Sequence, residues 1–134
     1  MAVDYSQVPI IQCAYQLALE IQKYLVTCPK SLRYQVGERL ANATQDFFAG
    51  TIKANFERNL ERRQGILHNL SAHLLTIRMW LRMLKELKGM PSGLHGSLNL
   101  MVSDIQRQLT AWSKWSQGQG TDASRDVTYR RQDM

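Results

Sequence analysis

Five cations in the middle of the chain have the chemistry to contact phosphate or carboxylate groups. Arg78, Arg82 and Lys85 are spaced by four and three residues, which places them within about 60° of one another on a helix. Arg62 and Arg63 form a second basic group in a run of mixed charge. Guanidinium and ammonium groups donate charge-assisted hydrogen bonds to such oxygens, so we predict that these five residues bind a polar partner. For Arg62 and Arg63, ordinary surface ion pairs are the alternative.

The remaining polar residues do not form a metal site or a catalytic set. His68 and His73 are five residues apart, so on a helix they lie about 140° apart and cannot share a metal ion. His95 stands alone among glycines. The sequence contains no metal-ligand spacing, no glycine-rich phosphate loop and no group of acid, base and nucleophile. We therefore expect a non-enzymatic protein without a cofactor, a metal or a small-molecule substrate.

One motif keeps an enzymatic alternative open. The residues from Arg63 to His68 follow the pattern Arg-x4-His, which resembles the signature of the HEPN family of helical ribonucleases. The resemblance implies that Arg63 and His68 act on an RNA backbone. The other interpretation is a solvated arginine and an interfacial histidine, because this spacing arises readily in an Arg-rich chain.

The helix that carries Arg78 is apolar over more of its circumference than one core requires. Between residues 66 and 87 the apolar positions occupy an arc of roughly 200°, about twice what a single intramolecular core needs. Such a helix either lies at the centre of its domain or buries a second face against another chain. We therefore predict five residues of this helix and the next one at the core or an oligomer interface: Trp80, Leu81, Met83, Leu84 and Trp112.

Four amphipathic patterns with short connections predict an all-α protein. Apolar residues recur at i, i+3 and i+4 in each pattern, and the predicted helices span about 8–26, 32–56, 61–88 and 92–116. Ser31 is the predicted cap of the second helix, and Gly89 is the predicted left-handed residue that ends the third. Short connections favour antiparallel neighbours, so we predict an up-down-up-down four-helix bundle.

The net charge of +6 is confined to the predicted bundle. Residues 1–116 contain 14 Lys and Arg against eight Asp and Glu, whereas residues 117–134 contain three of each. Residues 117–134 also lack an apolar face, so we predict one domain over 1–116 followed by a flexible polar tail. A basic surface attracts nucleic acid or an acidic protein.

Cysteine usage and hydropathy predict a cytoplasmic protein that does not contact a membrane. Cys13 and Cys28 are too few for a disulfide framework and lie near apolar positions, which is typical of thiols in a reducing compartment. No apolar run reaches the roughly 18 residues of a membrane span. The segment from Met1 to Gln7 carries no cation with which a signal peptide would begin.

The segment from Leu75 to Leu84 resembles the third helix of the accessory variability determinant proteins of diversity-generating retroelements. That helix carries a pattern of Leu-Arg-aromatic-Trp-Leu-Arg, and here residues 77–82 read Ile-Arg-Met-Trp-Leu-Arg. The segment from Leu109 to Trp112 is similar to the Leu-x-x-Trp that closes the family's fourth helix. The segment from Pro29 to Tyr34 resembles a region shared with the related four-helix proteins of ribosomal RNA intervening sequences.

This resemblance implies a strongly basic homopentameric barrel of four-helix bundles. The implied function is to bind the reverse transcriptase of the retroelement and its template RNA, and to support mutagenic reverse transcription without any activity of its own. Arg78 and Arg82 match the family's cations that contribute to partner binding. Binding of DNA is an open possibility, as is a general helical protein-interaction module whose function involves no nucleic acid.

Overall fold

The computed structural model describes residues 9–125, with side chains through Gly118. Its helices are α1 (Pro9–Thr27), α2, α3 (Leu60–Glu86) and α4 (Ser92–Arg125), and α2 consists of three consecutive parts, Lys30–Leu32, the π-helical Arg33–Gly37, and Glu38–Phe56. Within residues 9–125 there is no strand, which confirms the prediction of an all-α chain with four helices. None of these helices is both long and apolar enough to cross a bilayer.

The four helices enclose one apolar core. α1 and α3 each pack against both α2 and α4, so every helix has two neighbours, as in a four-helix bundle. α3 contributes six of the largest fully buried side chains, Leu67, Leu70, Leu74, Ile77, Leu81 and Leu84. Burial of such apolar surface is the dominant favourable contribution to folding, and α3 is therefore the central helix for stability.

The turn between α2 and α3 lies where the sequence predicted it. α2 ends at Phe56 and α3 begins at Leu60. Asn59 is the N-cap, because its side-chain oxygen accepts a hydrogen bond from the backbone N–H of Arg62 at 2.9 Å. The cap satisfies one of the four amides that have no partner within the helix, and it explains why the boundary is sharp.

The predicted cap at Ser31 is wrong. Pro29 occupies the N-cap position without a side-chain cap, and Ser31 already lies inside the first turn. The connection between α1 and α2 is held instead by the guanidinium of Arg33. Its Nη2 donates to the carbonyl oxygens of Val26 and Cys28, each at 3.2 Å. These two bonds satisfy carbonyls at the carboxyl end of α1.

The left-handed residue after α3 is Lys88 and not Gly89, as the sequence had predicted. Lys88 has a φ of 62°, and no described glycine has a positive φ. The amides of Lys88 and Gly89 donate to the carbonyls of Lys85 and Leu84, which is the pattern of a Schellman motif. Gly89 serves close packing instead, because a Cβ there would collide with the side chain of Leu32.

α4 extends past its predicted end at Ser116 and reaches Arg125. The composition after Trp115 offers no apolar face, but it contains no proline that would stop a helix. Ser116 is buried, so α4 still contacts the bundle at that point. Residues 126–134 of the predicted flexible tail, like residues 1–8, lie outside the described part of the chain.

Candidate partner-binding surfaces

Arg78 links two helices of the same chain. Its side chain is half-buried, and its guanidinium donates to Asn99 Oδ1 at 3.4 Å and to Ser103 Oγ at 3.2 Å, both on α4. A guanidinium has five N–H donors, so three remain for another partner. Arg78 therefore joins α3 to α4 as well as being a candidate for partner binding.

Arg82 and Lys85 lie in surroundings that differ from those of Arg78. Arg82 is exposed, and its Nε forms an ion pair of 2.5 Å with Glu86 one turn later. Lys85 is exposed and has no ion pair within the described residues. The three cations share one side of α3, as predicted, and of the three only Arg82 forms an ion pair with a described residue.

Lys85 lines a cleft together with Lys88. The cleft has a volume of about 500 Å³ and lies where the α1–α2 and α3–α4 connections meet, with Tyr24, Thr27 and Ser92 among its walls. Burial lowers the pKa of the nearby His95, and the charge of Lys85 lowers it further. The charge of Lys85 therefore acts on His95 in the same direction as burial does.

Arg62 and Arg63 lie at the other end of α3 and interact with the preceding turn. Arg62 Nη1 lies 3.9 Å from a carboxylate oxygen of Glu57, and Arg63 Nη2 donates to the Glu57 carbonyl oxygen at 2.6 Å. Burial lowers the pKa of Arg63, whereas the Glu57 charge raises it. Arg62 therefore forms the local ion pair that was the alternative to partner binding. Arg63 instead joins the turn between α2 and α3 to α3 through a hydrogen bond.

The structure does not bring Arg63 and His68 together as a pair. Arg63 is half-buried against Glu57, whereas His68 is exposed. Five residues of helix separate the two side chains by about 140°. Within one chain, this geometry gives no support to the ribonuclease alternative.

Four of the five residues predicted at the core or an interface belong to the core. Leu81 and Leu84 are fully buried, and Trp80 and Trp112 are partly buried and pack against the core cluster. The guanidinium of Arg39 on α2 also lies 5.9 Å from the centre of the Trp80 ring. The exception is Met83, whose side chain faces outwards and is 43% exposed.

Met83 belongs to a row of large apolar residues on the outer side of α3, which we call the outer stripe. It consists of Leu75, Met79, Met83 and Leu87, spaced by four residues, with exposed fractions of 62, 51, 43 and 52%. At 100° per residue, this row lies opposite the buried face of α3. Leu75, Met79, Leu87 and Lys88 were not among the predicted site residues, although the four-residue spacing and the lysine beside Gly89 are visible in the sequence.

The described residues contain no group of three or more side chains that could hold a metal ion. No protein-family model matches the chain, and no curated protein matches it. The outer stripe and the exposed Arg82 beside it are therefore the candidate partner-binding surface.

Proposed function

We propose that this protein is a non-enzymatic homo-oligomeric adaptor that binds a reverse transcriptase and its template RNA. Its role would be that of an accessory variability determinant in a diversity-generating retroelement, in the cytoplasm. The observation that carries the proposal is the outer stripe of α3 together with the exposed Arg82, which lies one helical turn after Met79. One surface thus combines apolar area for a protein contact with charge for a phosphate backbone.

The outer stripe supports self-association. Scattered exposed apolar residues are normal on a monomer, but a contiguous apolar row marks an interaction site. A contact between the stripe of one chain and a different surface of the next is heterologous, and it stays finite only if the chains close into a ring. The resemblance to the accessory variability determinant family makes that ring a pentamer, in which five chains would carry a net charge of about +30.

An antiparallel order of the helices belongs to the same proposal. Gln64 near the start of α3 bonds to Ser113 near the end of α4, and Arg78 further along α3 bonds to Ser103 earlier in α4. Residue numbers that rise along one helix and fall along its neighbour support an up-down-up-down bundle. This arrangement sets the outer stripe on the side of α3 away from α4.

Substitution of two cations on α3 tests the assignment of partner binding. We expect the double variant Arg78→Ala and Arg82→Ala to lose binding of template RNA, of the reverse transcriptase of the same retroelement, or of both. The matched control is Lys53→Ala with Arg107→Ala, which removes the same charge outside α3. RNA binding would be measured by fluorescence anisotropy and enzyme binding by co-purification. Undiminished binding of both partners to the α3 variant would contradict the role of Arg78 and Arg82.

The two competing functions give different results with RNA. A ribonuclease that uses Arg63 and His68 would cleave labelled RNA without added metal, and His68→Ala would abolish the cleavage. A general protein-interaction module would bind neither RNA nor DNA, even at low salt. The adaptor function predicts binding that weakens steeply with salt and leaves the RNA intact.

A further inference from the structure

The cleft at the end of the bundle joins three connected parts of the fold. Tyr24 and Thr27 come from the end of α1, Lys85 and Lys88 from the end of α3, and Ser92 from the start of α4. The hydroxyl of Tyr24 donates to the carbonyl oxygen of Gly89 at 2.5 Å and is buried, so one wall is held rigidly. A volume of about 500 Å³ is within the range of ligand pockets.

The charge of this cleft is not neutralised within the described part of the chain. Lys85 and Lys88 are both exposed and form no ion pair with a described residue, and no acidic residue is among those that line the cleft. Glu86, which lies between them in sequence, pairs with Arg82 instead. Glu86 therefore pairs with neither lysine, and both ammonium groups are available to an anion.

Lys88 also has an unusual backbone conformation. Its φ of 62° lies in the left-handed region, which glycine adopts without strain and a lysine does not. The sequence therefore has a cation at the one helix-end position where glycine would suit the backbone best. A strained residue of this kind is grounds for a functional hypothesis, and the charge of Lys88 is the property that a glycine would lack.

We infer that the cleft between Lys85 and Lys88 binds a phosphate group, and that this phosphate belongs to the RNA backbone. The second part rests on the proposed function, whereas the first depends only on the cleft. A phosphate oxygen accepts charge-assisted hydrogen bonds from ammonium groups, and such contacts position a nucleic acid without reading its sequence. The cleft would thus hold the RNA at the carboxyl end of α3.

The source of the phosphate is tested with labelled single-stranded RNA over a range of salt concentrations. For Lys85→Gln with Lys88→Gln, we expect about tenfold weaker binding at 0.1 M salt. The magnitude of the slope of log affinity against log salt concentration should fall by about 0.7, the value for one phosphate on a single strand. The control Lys53→Gln with Lys114→Gln removes the same charge at the other end of the bundle. Equal effects of the two double variants would overturn the inference.

The cleft itself is tested with inorganic pyrophosphate and backbone amide NMR of the full chain. We expect shifts centred on residues 85–95, together with a rise in the pKa of His95, because the bound anion offsets the charge of Lys85. Shifts spread evenly over the basic residues, or none, would overturn the cleft as a phosphate site. Localised shifts in a protein that binds no RNA would support the cleft but refute its RNA ligand and the proposed function.

A single substitution separates loss of binding from loss of folding. Lys88→Gly removes the charge and relieves the left-handed conformation, so we expect weaker RNA binding with an unchanged or higher melting temperature. Unweakened RNA binding by this variant would show that Lys88 does not contact the phosphate.

Discussion

The two halves of α3 place the same types of residue in different environments. In the half from Leu60 to Ser71, Arg63 bonds to the preceding turn and the backbone of Arg62 is capped by Asn59. In the half from Ala72 to Glu86, the inner face is just as well buried, but the outer face exposes large apolar side chains, and Lys85 is exposed as well. Arg62 and Arg63 of the amino-terminal half thus have polar partners in their own chain, whereas Lys85 of the carboxyl-terminal half has no ion pair with a described residue.

This difference shows that charge alone does not locate a binding surface. Arg62 and Arg78 are both basic residues of one helix, yet the first has a carboxylate neighbour and the second joins α3 to α4. What marks the carboxyl-terminal half is the combination of unpartnered apolar area and an unpaired ammonium group. Substitutions in the two halves of α3 should therefore have similar effects in the core and different effects at the surface.

The largest effects on stability are expected in the core, where the two halves should behave alike. Leu70→Ala and Leu81→Ala each remove a side chain that is at most 2% exposed. We expect each to lower the free energy of unfolding by about 2–5 kcal/mol, measured by urea denaturation followed by circular dichroism. If either substitution were nearly neutral, the core would not extend along both halves as described.

The next effect is specific to the amino-terminal half. Asn59→Ala removes the side-chain bond to the Arg62 amide and should lower the free energy of unfolding by about 1 kcal/mol. Asn69→Ala is the control, because Asn69 is an exposed mid-helix residue at which alanine favours the helix. Equal destabilisation by the two substitutions in urea denaturation would be inconsistent with a cap at Asn59.

A smaller contrast distinguishes two arginines of the carboxyl-terminal half. Arg78→Ala breaks hydrogen bonds to α4 and should cost about 1 kcal/mol. Arg82→Ala breaks an exposed pair with Glu86 and should cost only a few tenths of a kcal/mol. Thermal denaturation of both variants checks this order, and the reverse order would place the α3–α4 link elsewhere.

The smallest effect concerns the pKa of His95, which burial and the charge of Lys85 lower below the ordinary 6.5. Lys85→Gln should raise this pKa towards its ordinary value, whereas Lys114→Gln should leave it unchanged, as measured by NMR titration. Because the unfolded chain binds this proton more readily than the folded chain does, stability should decline as the pH falls below about 6.5. If the pKa of His95 were unchanged in Lys85→Gln, the charge of Lys85 would not act on His95.

Periodicity predicted the helices well, because it depends only on which residues are apolar. It could not separate the two apolar faces of α3, since an arc of about 200° contains both the buried Leu81 and the exposed Met83. Only the packing of α2 and α4 decides which part of that arc is covered. The same packing decides that Arg78 meets Asn99 on α4, whereas Arg82 meets Glu86 one turn later on its own helix.

Two local errors have similarly physical origins. The left-handed position was assigned to Gly89 because glycine favours that conformation, but α3 ends early enough for Lys88 to occupy it. The end of α4 was placed at Ser116 from the loss of apolar residues, yet a helix continues while its backbone bonds are satisfied and no proline intervenes. Local composition thus marks where a helix loses its apolar face better than where its backbone stops being helical.

The proposed contact between the outer stripe of α3 and another copy of the chain is tested by the molar mass of the protein in solution. Light scattering of the wild type should give a multiple of 15.4 kDa, five times that value for a pentamer. Met79→Glu with Met83→Glu should reduce the mass to 15.4 kDa, while Leu100→Glu, an exposed apolar residue on α4, should leave it unchanged. A wild-type mass of 15.4 kDa, or an assembly that persists in the Met79 and Met83 variant, would contradict the claim.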